Sequence, residues 1–360
     1  MMDGMHTEKV LVAMSGGVDS SVAALLLKNG GYDCIGVTMK LFSPSLMQND
    51  ERACGGTSEI GDAERVANAL GIPFCVRDLS GEFCRYVVDY FVNTYLAGGT
   101  PNPCVECNRT MKFTRLYDVG RELGCNKIAT GHYAKIEKDA SGRYLLSSAD
   151  DASKDQTYVL WSLSQEQLSR TLFPLSALSK AEVRELALAN GFCNAERRDS
   201  QDICFIPDGD YVGFIERYTQ KSFPEGNFVD LDGNVLGRHG GHLRYTIGQR
   251  KGLGIAFGKP TYVCAKDAKS NTVTLGSNED LFTRELTAHG INLIALPRID
   301  APIRVQAKVR YAAKPAAATV EQTDNDRIRV VFDDPQRAIS TGQSVVLYDG
   351  NVVVGGGIID

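Results

Sequence analysis

The stretch that most constrains this chain is Val10-Leu11-Val12-Ala13-Met14-Ser15-Gly16-Gly17-Val18-Asp19-Ser20-Ser21, where a short apolar run meets a glycine-rich turn and then a helical pattern. A strand that stops at a tight turn and re-enters as a helix leaves the first backbone N–H groups of that helix unpaired, and the helix dipole adds partial positive charge at the same spot. Phosphate is the natural occupant of such a turn. Gly16 and Gly17 let the backbone approach it without an intervening side chain, and the hydroxyls of Ser15, Ser20 and Ser21 add donors. Asp19 is the odd member, because a carboxylate beside phosphate repels it unless it holds Mg²⁺ or caps the helix. The string lacks the Gly-Lys-Ser/Thr ending of a Walker A loop, which argues against an ordinary nucleotide triphosphatase.

The same alternation continues downstream. Strand-like runs at 10–14, 34–39, 73–79 and 127–130 interleave with helical patterns at 19–28, 60–70, 82–96, 109–123 and 180–190. Together they predict an α/β fold, a doubly wound parallel sheet with crossover helices. Near Ile206 the composition turns to glycine- and proline-punctuated short segments, and after Arg284 to alternating strands at 303–311, 327–332, 344–348 and 351–354. The expected layout is a catalytic domain over 1–205, a small central domain over 206–283, and a C-terminal β-barrel, or alternatively a sandwich, over 284–360.

Composition closes off several classes. No apolar run approaches the roughly 20 residues of a membrane span, and the first ten residues carry Asp3 and Glu8 rather than the basic and apolar regions of a secretory signal. The expectation is a cytoplasmic protein with no membrane partner. Ten cysteines in a reducing compartment point to catalytic or metal chemistry and not to a disulfide scaffold. A formal charge of −5 means that any nucleic-acid surface is local. Two stretches qualify. One lies between Asp232 and Asp267, which holds Arg238, Arg244, Arg250, Lys251, Lys259 and Lys266 and no acid. The other is 303–311, whose alternation puts Arg304, Gln306, Lys308 and Arg310 on one face. A solvated basic loop and an ordinary soluble strand are the alternatives.

The cysteines of interest lie in Gly99-Thr100-Pro101-Asn102-Pro103-Cys104-Val105-Glu106-Cys107-Asn108-Arg109 and in Ser200-Gln201-Asp202-Ile203-Cys204-Phe205. The first reads as a proline-bracketed loop leading into a helix that begins near Arg109. That puts Cys107 at a helix N-terminus, where Arg109 and Lys112 would lower its thiol pKa as a nucleophile requires. A zinc-binding or merely buried pair is the competing reading of Cys-x-x-Cys.

Ser-Gly-Gly-Val-Asp-Ser-Ser resembles the pyrophosphatase loop of the adenine-nucleotide α-hydrolase-like superfamily, which implies ATP cleavage between the α and β phosphates. Together with Pro101-Asn102-Pro103, Cys107-Asn108, Ala129-Thr130-Gly131-His132-Tyr133-Ala134, Lys154-Asp155-Gln156, the Cys204 segment, Arg310-Tyr311 and Gly342-Gln343, the chain is similar to the tRNA-specific 2-thiouridylase family. That resemblance implies ATP-dependent replacement of the C2 oxygen of a tRNA uridine, the wobble position, by sulfur. It makes Cys107 the nucleophile and Cys204 the persulfide carrier. It gives Mg²⁺-ATP to Ala13, Met14, Ser15, Gly16, Gly17, Val18, Asp19, Ser20, Met39 and Gly131. It sets Asn102, Pro103 and Cys104 against the target base. It lays His132, Lys154, Asp155, Gln156, Arg310, Tyr311 and Gln343 on tRNA, with a persulfide carrier protein or sulfide as the sulfur donor. Many relatives carry Asp where this chain has Cys104. The third thiol opens an alternative in which Cys104, Cys107 and Cys204 ligate a [4Fe–4S] cluster with one iron left for sulfide. Cys34, Cys54, Cys75, Cys84, Cys125, Cys193 and Cys264 are expected to be inert. The rivals are a pyrophosphatase-loop enzyme that adenylates a small molecule, and a non-catalytic RNA-binding or redox-sensing protein with metal on its cysteines.

Overall fold

The computed structural model describes residues 8–42, 57–197, 203–255 and 258–360. The chain divides into two units. The first comprises Met1–Val88, Pro103–Gly209 and Asn351–Val353, and the second Asp89–Asn102, Asp210–Gly350 and Val354–Asp360.

In the first unit β1 (Lys9–Ala13), β2 (Asp33–Lys40), β3 (Phe74–Asp78), β4 (Lys127–Ala129) and a late strand Thr171–Leu172 form one five-stranded sheet. Its order is β3-β2-β1-β4 followed by the late strand, and every pairing is parallel. β1 sits centrally, so Val10, Leu11 and Val12 have no exposed surface, as expected of a strand covered on both faces. α1 (Val18–Asn29) and α2 (Thr57–Leu70) are the crossover helices around β2. α1 buries Val22, Ala23 and Ala24 completely, and the late helix Lys180–Ala189 packs on it through Val183 and Ala187. Strand order reverses between β1 and β4, and the crevice beyond the strand C-termini at such a reversal is where open α/β sheets bind ligands. The Ser15–Gly17 turn leaves β1 there.

The helix before the cysteine motif follows its prediction in outline. α3 (Ser80–Phe83) runs into a π-helical turn, Cys84–Val88. The helix carrying the motif starts earlier than expected. It opens at Pro103 with Pro103–Glu106, widens into a π-helical stretch over Cys107–Arg115 and returns to α geometry over Leu116–Glu122. Pro-Asn-Pro reads as loop in sequence, yet proline is well suited to the first helical position, where its missing N–H would have no partner anyway. Cys104 therefore occupies the first turn, and Cys107 lies one turn inside the helix instead of at its N-terminus.

In the second unit the helices Asp89–Leu96 and Tyr211–Thr219 lock through Tyr95 stacked on Tyr211 at 4.8 Å, Phe91 against Phe214, and the Tyr218 hydroxyl donating to Asp89 at 2.7 Å. A four-stranded sheet spans Gly226–Val229, Val235–His239, Tyr262–Asp267 and Thr272–Gly276. Beyond it six strands, from Phe282–Leu293 through Val352–Ile359, form a barrel that closes where the first pairs with the last, Ala288 opposite Ile359. Closure leaves no unpaired sheet edge in the barrel. Along Ile303–Lys308 the alternation is as read from sequence, with Val305 and Ala307 buried and Arg304 and Gln306 exposed.

Gly16 shows how tightly the first unit is drawn around its glycine turn. Its φ is +78°, and a Cβ there would lie 2.5 Å from the Glu59 carbonyl oxygen at the start of α2. Gly16→Ala should therefore cost about 1–3 kcal/mol. Gly61→Ala, within α2 where a Cβ meets nothing within 4 Å, should instead stabilise by about 0.5–1 kcal/mol. Denaturant midpoints of the two variants moving in the same direction would contradict this account.

Candidate active site

The anion cradle is built mainly from hydroxyls that shape the turn. Gly17 is the residue before α1 and makes no side-chain cap; Asp19 lies inside the first turn and does not cap the helix. The Ser20 hydroxyl accepts from the Ser15 N–H at 3.2 Å and donates to the Gly17 carbonyl at 2.9 Å, while Ser21 donates to the same carbonyl at 3.1 Å. Asn194 donates to the Gly16 carbonyl at 2.8 Å and to Ser21 Oγ at 2.9 Å. Ser20 and Ser21 are thus occupied in holding the loop, and the exposed Ser15 is the hydroxyl presented outward. Met14 and Val18 send their side chains into the core, so only their backbones face the turn. Ala13 ends β1 and Met39 is the penultimate residue of β2; both are half-buried. Gly131, just beyond β4, lies against the first turn of α1, where a Cβ would come within 2.7 Å of the Asp19 carbonyl carbon and of the Ser20 nitrogen.

Asp19 is paired. Its carboxylate accepts from Lys180 Nζ at 2.6 and 2.8 Å and from the Tyr133 hydroxyl at 2.8 Å. Sequence reasoning missed both pairings: Tyr133 stood in the quoted Ala129–Ala134 motif with no role assigned to it, and Lys180, far along the chain, carries no local motif. Tyr133 also exchanges backbone contacts with Gln156, whose side-chain oxygen accepts from the Tyr133 N–H at 2.9 Å and whose own N–H donates back at 3.0 Å. Lys154, Asp155 and Gln156 thus belong to a half-buried turn joined to the cradle through Tyr133.

Cys107 is 8% exposed and opens the π-helical stretch. The wider helix is braced by neighbouring side chains. The Arg109 carbonyl accepts from Gln167 Nε2 at 2.9 Å and from Thr114 Oγ1 at 2.8 Å, and Asn108 donates to the Val159 carbonyl at 2.8 Å. Such π segments recur at functional sites. Of the two cations expected to act on Cys107, Arg109 is held by a two-pronged pair with Glu106 at 2.7 and 2.9 Å. Cys104 reaches solvent, yet the surrounding protein pushes its thiol pKa up, with Lys112 acting in the opposite direction. Phe113 of the same helix packs on His132, which is buried against Phe173 and hydrogen-bonded to Thr130 at 2.6 Å. Burial, assisted by Lys112, pulls the His132 pKa well below the ordinary 6.5.

Cys204 is half-buried in a short turn. Its neighbour Phe205 packs edge-on against Phe83 at 5.7 Å, and the Ser80–Val88 helix that carries Phe83 packs in turn on the Cys107 helix. The two cysteine segments therefore share one supporting helix. Ser200, Gln201 and Asp202 lie outside the described residues, as does Cys54.

In the second unit Arg310 and Tyr311 follow the Ile303–Lys308 strand, with Tyr311 half exposed and Lys308 Nζ 5.8 Å from its ring centre. Gln343 donates to the Thr100 and Pro101 carbonyls at 3.0 and 3.3 Å, and the Thr100 N–H donates to the Thr341 carbonyl at 2.8 Å. The barrel turn at 341–343 therefore grips the lead-in to the half-buried Asn102, while Pro103 is buried at the head of the helix in the first unit. Both basic stretches are less cationic than their sequences. Arg304 pairs with Asp333 at 2.8 Å; Arg238 and Arg244 pair with Glu225 and Glu216. His239 and His242 are buried, and burial lowers the Lys266 pKa to about 8. Arg250, Lys251 and Lys259 are exposed.

Residues 8–208, 212–277 and 283–359 match, in turn, families described as tRNA methyl transferase HUP domain, tRNA methyl transferase PRC-barrel domain and aminomethyltransferase beta-barrel domain. The chain is 53% identical to the tRNA-specific 2-thiouridylase MnmA of Clostridioides difficile over 98% of each protein. It is 49% identical to that of Lachnoclostridium phytofermentans over 98% of this chain and 99% of the relative. The chain belongs to the tRNA-specific 2-thiouridylase family. A 4-thiouridine synthetase solved with RNA and bound ATP is similar over 59% of this chain and 50% of that one, at 18% identity and a TM-score of 0.36, a likeness too distant to carry weight.

ATP binding fits the pyrophosphatase-loop character of this thiouridylase-family unit. Among the described residues no three His, Cys, Asp or Glu side chains converge as a metal site, so the donor set for a cluster on Cys104, Cys107 and Cys204 is not assembled in this arrangement. No described helix is long and apolar enough to cross a membrane.

Two outcomes follow from this geometry. Gln167→Ala removes the amide bracing the π stretch and should cost about 1–3 kcal/mol, with a larger fall in catalytic rate than in ATP affinity; unchanged turnover would show that the brace is dispensable. Burial lowers the pKa of His132, and of His239 and His242 as well. Below about pH 6.5 the unfolded chain takes up protons that the folded chain refuses, so stability should fall as pH drops through that range. His132→Asn should make the slope shallower in pH-dependent urea titrations.

Proposed function

We propose that this chain is an ATP-dependent tRNA uridine 2-sulfurtransferase acting in the cytoplasm on the wobble uridine. What supports the reading most is the gathering, within one compact unit, of the Ser15–Gly17 anion cradle, the braced helix of Cys107 and the Cys204 turn that shares its supporting helix. ATP lies with its phosphates on the first turn of α1, close to the backbone of Gly16, Gly17 and Gly131. Mg²⁺ carried with the triphosphate supplies charge neutralisation there. The uridine O2 attacks the α-phosphorus and pyrophosphate leaves, which turns a poor leaving oxygen into AMP.

Sulfur then replaces AMP at C2. Cys204 carries the persulfide, its outer sulfur transferred by thiol exchange from a persulfide carrier protein; sulfide as the donor would instead attack C2 directly, with no persulfide on Cys204. Cys107 releases that sulfur by thiol exchange or assists its attack, leaving a Cys107–Cys204 disulfide for a thiol reductant to open. The segments 1–205, 206–283 and 284–360 divide the work into catalysis, RNA holding and a supporting barrel. On the second unit the exposed Tyr311 beside Lys308 and Arg310 suits a stacked base with its phosphate.

The decisive assay incubates the protein with ATP, a persulfide sulfur donor and unmodified tRNA and analyses the nucleosides. Wild type should yield 2-thiouridine and pyrophosphate, whereas Cys107→Ser and Cys204→Ser should each lose thiolation while retaining ATP binding. A methylated nucleoside with no sulfur incorporated, or full thiolation by Cys107→Ser, would reject this assignment.

A further inference from the structure

The stretch from Met14 to Ser21 contains neither Lys nor Arg. Phosphoryl and adenylyl transfer leave negative charge on the departing phosphate, and preorganised positive charge is the usual means of lowering that barrier. Backbone N–H groups and a helix dipole supply part of it. An acid, Asp19, stands in the first turn of the phosphate-binding helix and works against it.

Lys180 answers both difficulties. Its ammonium lies 2.6 and 2.8 Å from the two Asp19 carboxylate oxygens, 161 positions away in sequence, and its side chain is only 12% exposed. The residue is the first of the Lys180–Ala189 helix, whose start is fixed by a reciprocal cap between Ser179 and Glu182. Its own N–H donates to Asp151 at 3.1 Å. The backbone of Lys180 is thus immobilised while its ammonium rests on the cradle. Tyr133 shares the Asp19 carboxylate at 2.8 Å and holds it in place.

We infer that Lys180 is a further catalytic residue, the cation of the cradle, which is held on Asp19 and donates to the pyrophosphate part of ATP when ATP binds. A triphosphate carries more charge than one carboxylate, so the ammonium turns toward it by rotation about its own stem. When the uridine O2 bonds to the α-phosphorus, the bond from that phosphorus to the α–β bridging oxygen breaks. Its electron pair stays with the pyrophosphate, whose growing charge Lys180 offsets. Lys180 keeps its proton throughout. Asp19 is thereby explained as the holder of the lysine, a role that its place beside phosphate does not suggest. The inference rests on the adenylation step proposed above.

The test compares wild type with Lys180→Met and Lys180→Arg in two measurements. Pyrophosphate and AMP affinities are taken by calorimetry on the tRNA-free enzyme, and single-turnover pyrophosphate release is followed after mixing with ATP and tRNA. Lys180→Met should weaken pyrophosphate binding at least about tenfold and leave AMP affinity within about twofold. It should slow release by about 10²–10³-fold, with Lys180→Arg recovering part of both. Lys180→Met that keeps pyrophosphate affinity and release rate near wild type overturns the inference. So does loss of pyrophosphate and AMP affinity together without recovery by Arg, which marks a purely structural pair. If wild type itself releases no pyrophosphate on meeting tRNA, the adenylation reading fails, while the calorimetric comparison still decides whether Lys180 holds pyrophosphate.

Discussion

The nucleotide end of this molecule depends on how closely backbone can approach the first turn of α1. Gly16 lies against the start of α2 and Gly131 against Asp19 and Ser20, each so near that even a methyl group would collide. With those approaches in place, β1, β4 and α1 meet at the reversal of the sheet, and hydroxyls, amide and lysine reach a single point from distant parts of the chain. The cradle is a consequence of packing first and of its serines second, since Ser20 and Ser21 serve chiefly to hold the loop's own carbonyl.

Local chemistry made much of this readable in the amino-acid order. A buried parallel strand leaves a continuous apolar run, and a phosphate turn leaves glycines, so the sheet, its order of strands and helices, and the Ser15–Ser21 loop could be read from neighbours alone. The strands of the C-terminal domain were equally visible in their period-two alternation, which left barrel and sandwich open; the pairing of its first strand with its last closes it as a barrel. The start of the Cys107 helix was hidden because Pro-Asn-Pro carries the same signal in a loop and in a first helical turn. Nothing in a linear pattern announces a π register either, because what stabilises it, the Gln167 amide on the Arg109 carbonyl, comes from another element.

Charge was the hardest property to read. Arg109, Arg304, Arg238 and Arg244 look like available cations in sequence, and each has an acid within reach in the fold. Lys180, which looks like an ordinary residue at a helix start, is the cation that the phosphate loop lacks. Sequence reveals how many charges a segment holds; the fold decides which are already neutralised. The pairings leave exposed cations at only a few points of the basic stretches, among them Arg250, Lys251 and Lys259.

The grip of the 341–343 turn on Thr100 and Pro101 carries a practical lesson. That turn is itself secured by the final strand, through Gly342 N–H on the Ile359 carbonyl, Ile359 N–H on the Gln343 carbonyl, and the Thr341 hydroxyl on the Asp360 carbonyl. Trimming the last two residues, or fusing a bulky affinity tag onto them, would loosen a fastening whose other end is the approach to the cysteine-bearing helix. Purification handles are better placed at the opposite terminus.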